Sequence, residues 1–394
     1  MQSNNIIKVL ESQEAQSYIR RNINADVAAL ALSNRETTNY NIAECLQLIL
    51  LYKKARKKLP LFWESLLALD ERSYVQCTSE AVALYKTSFL SGSDLLDLTG
   101  GLGVDSLFLS KTFKFVTVIE RNQDLHRLAN FNITRLGIKN LSRVCEDAND
   151  FLNKDKKTYS LIYIDPDRRS EFGRSVAIEH LSPNVLELIP LLKLKTKEVY
   201  IKLSPLFDIR EVYRCFNKVK CIYLIAEKGE IKEVGVWLDF SLVDSAKGIV
   251  LKDVATDFEV SLPENYVTSG TKEIVVTKYL QVPLALVAKS SSANFFLKDI
   301  ASIRHTDFEL YYSNMKQVRG FRNFEIVEKT SLAAKNITKM LKKCGVSNCN
   351  LVIKGKNQKP SDWHKKLKTN DGGNMYLFLL FGKTKEAVLA RFIS

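Results

Sequence analysis

The chain reads as an α/β protein: an open, mainly parallel sheet with helices on both faces, preceded by a helical region and followed by small α+β modules. Three observations predict this. From Asp94 to about Phe240, short apolar runs alternate with helical patterns, the texture of βαβ units. The stretch SDLLDLTGGLGVDS, Ser93 to Ser106, carries an apolar run straight into three glycines and an aspartate, as expected where a strand end forms a ligand crevice. Before it, residues 1–90 show helical spacing punctuated by Pro60.

The elements follow in order. In YNIAECLQLILLYKKARKKLP, Ile42, Leu46, Ile49 and Leu50 recur at helical spacing, with a basic end before Pro60. LFWESLLAL is a second short helix, and SEAVALYKTSFL a third with Ser79 as its N-cap. DLLDLT is then a strand, VDSLFLSKT a helix from about Val104, FVTVIE a strand, and NQDLHRLANFNITRLG a helix ended by Gly137. A third strand precedes VCEDANDF. SLIYID is a strand, NVLELIPLLKL a helix and EVYIKLS a strand. CIYLIAEKGEIKEVGVWLDF reads as an antiparallel hairpin closing the sheet. IVLKDVATDFEVSLP suggests another hairpin, and YLQVPLALVAKSSSANFFLKDI a short helix with a Ser-rich loop. In the tail, FRNFEIVEK, NLVIKGK and MYLFLLFGK are strands. SLAAKNITKMLKKCG is a helix capped by Gly345, and KEAVLARFI a closing helix. The expected division is 1–90 helical, 91–243 the sheet domain, 244–318 a small connecting domain and 319–394 a basic terminal domain.

Composition bounds the function. The 394 residues are 46% hydrophobic and 26% charged, enough for a packed core and against wholesale disorder. No apolar run approaches the roughly 18 residues of a membrane span. The N-terminus lacks a basic stretch leading into an apolar one, so no secretory signal is expected. The seven cysteines show no C-x-x-C spacing; free thiols and a cytoplasmic setting are expected, with neither a metal site nor a redox pair. The net charge is +14, and residues 316–394 hold 17 Lys and Arg against 5 Asp and Glu. That is an electrostatic footprint for a polyanion. Within it, Lys354, Lys356, Lys359, Lys365 and Lys366 cluster around Trp363. Cations contact phosphates and an aromatic ring stacks on a base; the alternative is a packing anchor at Trp363 among ordinary lysines of a solvated loop.

Three ligands compete for the glycine turn. A dinucleotide fingerprint fits Gly101 and Gly103 but meets Ser106 at its third position. A P-loop fails, because Val104 and Asp105 follow Gly103 where Gly-Lys-Ser/Thr is needed. S-adenosylmethionine (SAM) carries no phosphate but has an ammonium, which Asp97 at the strand end suits. Later strand ends add what this third ligand wants. Glu120 offers a carboxylate to two ribose hydroxyls, Asp147 an acceptor for an adenine amine, and Asp165-Pro166 a group facing the methyl. Each acid alone is equally a helix cap or a turn residue. Their order along successive strand ends favours the ligand reading.

DLTGGLGVD, VIERN, EDAND and DPDRR resemble motifs I to IV of the class I SAM-dependent methyltransferases, over roughly residues 75–240. The resemblance implies a Rossmann-like sheet and a cofactor site built from Asp97, Thr99, Gly100, Gly101, Gly103, Asp105, Glu120, Arg121, Asp147, Ala148 and Asp165. YVQCTSEAVALYK is similar to the segment preceding motif I in some RNA methyltransferases, which adds Gln76, Thr78 and Ser79. The whole chain resembles a bacterial family with a ferredoxin-like segment and a THUMP-like C-terminal domain, a module of enzymes that modify transfer RNA. Transfer or ribosomal RNA is therefore the expected partner.

The acceptor is less plain. Amine methylation resembles Asp/Asn-Pro-Pro-aromatic at motif IV, where the ring stacks on the base. Here Asp165-Pro166 match, but Asp167 and Arg168 depart, and Arg168 or Arg169 would bind phosphate or pair with an acid. Uridine C5 chemistry needs a cysteine, and YIKLSPLFD has none. Lys202, near the end of a buried strand, with Asp165, Glu233 and Lys86 echoes the lysine–aspartate–lysine–glutamate set of ribose 2′-O-methyltransferases; structural pairing of Lys202 with an acid is the alternative. Asp165, Pro166 and Lys202 are the candidate catalytic residues. The rival functions are methylation of a small molecule or protein, and RNA binding without turnover.

Overall fold

The computed structural model describes all residues except 1–2, 34–38, 168, 171–172, 175–176, 247, 265, 267–276 and 394; side chains at 33, 169, 170, 173 and 174 are also outside it. The chain forms two compact units, residues 1–259 and 260–394.

The first unit opens with helices: α1 (Ser3–Glu11), α2 (Gln13–Asn22), α3 (Val27–Ser33), α4 (Ile42–Lys58), α5 (Pro60–Glu64), α6 (Glu71–Gln76) and α7 (Glu80–Lys86). Local chemistry sets their ends. Asn41 caps α4 on Glu44 N, Pro60 stops α4 and starts α5, and Ser79 caps α7 on Val82 N. Helix α6 has too few apolar residues for its period to stand out in the sequence.

The alternating region follows: β1 (Gly92–Asp97), α8 (Val104–Leu109), β2 (Phe113–Ile119), α9 (Gln123–Arg135), β3 (Leu141–Val144), α10 (Ala148–Lys154) and β4 (Leu161–Ile164). A two-residue ribbon, β5 (Arg169–Ser170) and β6 (Gly173–Arg174), and a short 3₁₀ turn (Ile178–His180) lead to α11 (Val185–Lys195), β7 (Glu198–Leu203), α12 (Ile209–Cys215), β8 (Val219–Glu227), β9 (Glu230–Asp239), β10 (Gly248–Asp253) and β11 (Glu259–Leu262).

All of these strands but β5 and β6 make one nine-stranded sheet in the order β11-β10-β8-β9-β7-β4-β1-β2-β3. Strands β1, β2, β3, β4 and β7 run parallel, and β9 is antiparallel to both β7 and β8. The order reverses at β1, whose neighbours are β2 on one side and β4 on the other. In open α/β sheets that switch point is where a ligand crevice forms. Residues 244–318 contribute to both units. Strand β10 runs parallel to β8 in the first sheet, whereas the strands from Tyr279 onward belong to the second.

The N-terminal helices are not a separate cap. Ile6, Leu10, Ile19, Leu48, Tyr52 and Phe62 share one core with Leu102, Leu107, Phe108 and Leu128 of the sheet layer. Two polar clamps fix the junction. Asn132 of α9 accepts from Ala68 N at 2.6 Å and donates to Ala68 O at 2.9 Å, both buried. Arg135 donates to Ser65 O, Leu10 O and Gln16 Oε1 at 2.7, 2.9 and 2.8 Å.

The second unit holds β12 (Tyr279–Pro283), α13 (Ala285–Lys289), α14 (Ala293–Leu297), β13 (Ser302–Arg304), β14 (Tyr311–Ser313), β15 (Phe321–Ser331), α15 (Ala334–Lys343), β16 (Asn350–Lys354), α16 (Pro360–Leu367), β17 (Met375–Phe381) and β18 (Lys385–Ile393). Its seven strands are ordered β13-β14-β12-β15-β18-β17-β16. Helices α15 and α16 cover one face, burying Ile337, Met340, Trp363 and Leu367 against Leu377, Leu379, Ala387 and Leu389. Gly345, at φ +65°, ends α15 as expected.

Two expected stretches differ. YLQVP, read with its neighbours as helix and loop, is strand β12, paired antiparallel with β14 and β15. KEAVLARFI is strand β18, not a closing helix; it pairs antiparallel with both β15 and β17. Its middle, Ala387 to Ala390, is buried on both faces, and an apolar run that short cannot be told from a turn of buried helix by its period.

Two substitutions test this packing. Asn132→Ala leaves the buried Ala68 N–H and C=O unpaired, which costs about 1–3 kcal/mol for each orphaned group and is read as a lower urea midpoint. Gly235 faces Tyr200, and a Cβ there would lie 1.8 Å from the tyrosine hydroxyl. Gly235→Ala therefore lowers the melting temperature, and Tyr200→Phe in the same chain recovers part of the loss.

Candidate active site

A cleft of about 900 Å³ opens at the carboxyl ends of β1, β2, β3, β4 and β7. Strand β1 ends in Asp97, and the chain then turns through Gly100, Gly101 and Gly103 into α8. Gly101 and Gly103 have φ of +48° and +82°, the left-handed region that glycine enters without strain. Close approach constrains the turn as well. A Cβ on Gly100 would lie 2.3 Å from Val118 Cγ1, and one on Gly103 2.8 Å from Arg143 Nη1. A Cβ on Gly101 would meet nothing nearer than Thr99 O at 3.9 Å. At that residue the bare backbone is open to a ligand.

Two acids brace this turn. Glu120 Oε2 accepts from Gly101 N at 2.6 Å and its Oε1 from Asn122 N at 2.7 Å. Asp97 is 2% exposed; its Oδ1 accepts from Thr99 N at 2.9 Å, and its Oδ2 from the Ser106 hydroxyl. Burial pushes the Asp97 carboxyl up to about 6, against the bonds from Ser106 and Thr99 and the charge of Arg143. Arg143 was not expected from sequence. Its Nη2 donates to Gly101 O at 2.8 Å, while Nε and Nη1 are buried without a hydrogen-bond partner among the described residues. Burial lowers the pKa of its guanidinium below the usual value, and Asp97 and Glu120 oppose this.

On the other side, Asp147 caps α10 by accepting from Asn149 N at 2.8 Å, beside buried Ala148. Both line the cleft, as do Gln76, Thr78, Thr99, Arg121, Pro166, Ser204 and Pro205. Ser79 does not: its hydroxyl donates to Glu227 at 2.9 Å. Arg72 and Lys232 add cleft-facing cations that no motif marked.

The floor of the cleft is a chain of charges. Lys202 Nζ lies 2.5 Å from Asp165 Oδ2 and 3.7 Å from Asp105 Oδ2. Asp105 Oδ2 also accepts from the Thr78 hydroxyl at 2.7 Å, and its Oδ1 lies 2.7 Å from Lys86 Nζ. Lys86, fully buried, reaches Glu233 at 2.9 Å and the Tyr163 hydroxyl at 3.1 Å. Burial alone would raise the Asp105 carboxyl, but Lys86 and Lys202 hold it down at about 2. Burial alone would lower Lys202, but Asp165 and Asp105 raise its ammonium above the usual range. Burial raises Glu233, against the pull of Lys86 and Lys202.

The lysine–aspartate–lysine–glutamate set is thus joined in space but not presented together. Lys202 and Asp165 line the cleft, whereas Lys86 and Glu233 are sealed behind it and Asp105 links the two halves. Asp167 exchanges backbone hydrogen bonds with Ser182 at 2.8 and 2.9 Å, beside the cis Ser182–Pro183 bond. Arg168 lies outside the described residues, as does the side chain of Arg169.

In the second unit, Lys356, Lys359, Lys365 and Lys366 are exposed and Lys354 half-buried. Trp363 differs from expectation. It is 7% exposed, packs in the core under α16 and donates from Nε1 to Gln358 Oε1 at 2.8 Å. Its indole is a packing anchor with no open face for a base. Among the described residues, no helix is long and apolar enough to cross a membrane, and no three metal-ligating side chains cluster.

Comparisons with known proteins accord with this architecture. Residues 321–391 match the THUMP domain-like family. A crystal structure of a "putative methyltransferase" from Porphyromonas gingivalis W83 superposes with a TM-score of 0.82, covering 100% of both chains at 22% identity. An uncharacterized RNA methyltransferase of Mycoplasma mobile is 34% identical over 132 residues, which is 34% of this chain and 32% of that protein. The chain thus spans about a third of the length of that curated relative. The chain thus shares the fold of that structure, with β9 inserted antiparallel between β7 and β8 of the first sheet, and its residues 321–391 form a THUMP domain-like region.

Proposed function

We propose that the protein is a SAM-dependent RNA methyltransferase, acting on an RNA acceptor held near Asp165. The observation that carries this is the cleft at five strand ends, with an open glycine backbone on one side and a half-exposed carboxylate at its floor. The fit to the cofactor rests on that backbone: Gly101 offers a surface that any side chain would fill. Glu120 keeps a lone pair on each oxygen for a ribose diol, Asp147 would accept from an adenine amine, and Asp97 would supply negative charge at the ammonium end. When bound, SAM supplies an electrophilic methyl group.

The chain's own residues then position the acceptor. Asp165 accepts a hydrogen bond from its N–H or O–H, and the proton that the acceptor sheds passes to this carboxylate and on to water. Lys202 stays protonated beside Asp165 and Asp105, so it orients Asp165 and does not act as the base. A nitrogen acceptor attacks through its lone pair and sheds its proton only as the methyl arrives, so it needs no strong base at this position, whereas a ribose hydroxyl must first be ionised; that favours a nitrogen acceptor on a base. The RNA partner is supported by the excess of positive charge over residues 316–394, by the exposed lysines of the second unit and by the names that the relatives carry.

Transfer of tritiated methyl groups from SAM to RNA of a strain lacking the gene, followed by nucleoside mass spectrometry, tests this reading. The expected product is an N-methylated nucleoside; absence of labelled RNA sinks it. Asp165→Ala should lower the turnover number by about 100-fold or more and leave cofactor affinity within about threefold of wild type.

A pH dependence follows from Asp97. Its carboxyl protonates below about 6, where it loses the charge offered to the ammonium, while Asp105 stays ionised. SAM affinity is expected to be flat above that pH and to weaken by about tenfold per unit below it. Calorimetric titrations from pH 5 to 8 check this, and Asp97→Asn should bind weakly with a flat profile.

A further inference from the structure

The second unit holds an arginine with no anionic partner among the described residues, set in aromatic rings. Arg322 opens β15, and its guanidinium carbon lies 5.3 Å from the ring centre of Phe324, 5.1 Å from Tyr376 and 5.6 Å from Phe392. The rings are themselves in contact, Phe324 with Tyr376 at 5.0 Å and with Phe392 at 5.5 Å, and Tyr376 with Phe392 at 6.0 Å. Strand pairing builds the cluster. Phe324 lies opposite Phe392, and β18 places Ala390 opposite Tyr376 on β17. The four side chains therefore share one face, opposite the helices that bury Trp363.

This cluster is not only core. Phe324 is buried, but Phe392 is 37% exposed and Tyr376 and Arg322 are half-buried. The neighbouring strand acid, Glu325, points to the other face and pairs with Arg391 at 3.5 Å. The approach to β15, KQVRGFR from Lys316 to Arg322, holds three cations and no acid. An exposed ring, a planar guanidinium with donors to spare and a positive surround match the chemistry of one ligand class: an unpaired nucleotide, whose base stacks and whose phosphate pairs with the cation.

We propose that Arg322, Tyr376 and Phe392 form a single-stranded RNA site on the open sheet face of the second unit. The proposal rests on the RNA reading above and names where an unpaired stretch of that RNA is held. Arg322 otherwise serves as a lid on the aromatic core, and the two roles separate by experiment.

The experiment measures fluorescence anisotropy of a labelled mixed-sequence 12-nucleotide RNA, single-stranded and as a duplex, with the full-length protein. Phe392→Leu keeps the apolar bulk and removes the stacking face. Arg322→Lys keeps the charge and removes the planar fork. Each is expected to weaken single-strand binding by about fivefold or more, and duplex binding by less than about twofold. Thermal melting checks that each variant folds; should Phe392→Leu fail, Arg322→Lys gives the reading alone. Single-strand affinity unchanged in a folded variant, with wild type binding RNA, overturns this site and leaves the RNA reading standing. A wild-type chain that binds neither RNA form overturns both.

Discussion

Asp105 joins two lysines that the fold has taken out of water. Lys86 is fully buried and Lys202 is 12% exposed in its side chain, and each needs a carboxylate within reach. Asp105 supplies one to both, on the first turn of α8, two residues after the left-handed Gly103. The helix therefore starts where it does for two reasons at once: the glycines free the backbone, and the ion network anchors the first turn. Through Lys202 the same network reaches Asp165, a carboxylate half open to the cleft.

The glycine turn depends on a second buried charge. Arg143 lies beneath it; its Nη2 bonds Gly101 O and crowds the space a side chain at Gly100 would need, and its Nη1 crowds that at Gly103. Asp97 and Glu120 hold the turn from either end through Thr99, Ser106 and the Gly101 amide. Acids that could be read as ligand contacts are thus also structural braces. Both roles are compatible, because a carboxylate has four acceptor positions and neither acid uses all of them.

Much of this was legible in the sequence. The alternation from Asp94, the caps at Ser79 and Gly137 and the acids at successive strand ends are local patterns, and local patterns carry the sheet and its crevice. What was not legible depends on pairing across the chain. Arg143 sits in a half-buried strand ahead of the EDAND motif and outside it, and the lysines that Asp105 joins lie 19 residues upstream and 97 downstream. Gly235 carried a signal, since glycine within a strand marks close approach, but not the identity of Tyr200. KEAVLARFI misled because burial on both faces erases the period. Trp363 misled because lysines crowd the same helix whose inner face buries the ring.

The account turns on the cleft being a SAM site braced by this ion network. Calorimetric titration of SAM into the full-length chain and into Asp105→Asn tests that most directly. The expected result is one binding site per wild-type chain, and an affinity lowered by about tenfold or more in the variant. A folded wild-type chain that gives no binding, or an Asp105→Asn chain that binds as wild type does, would contradict it.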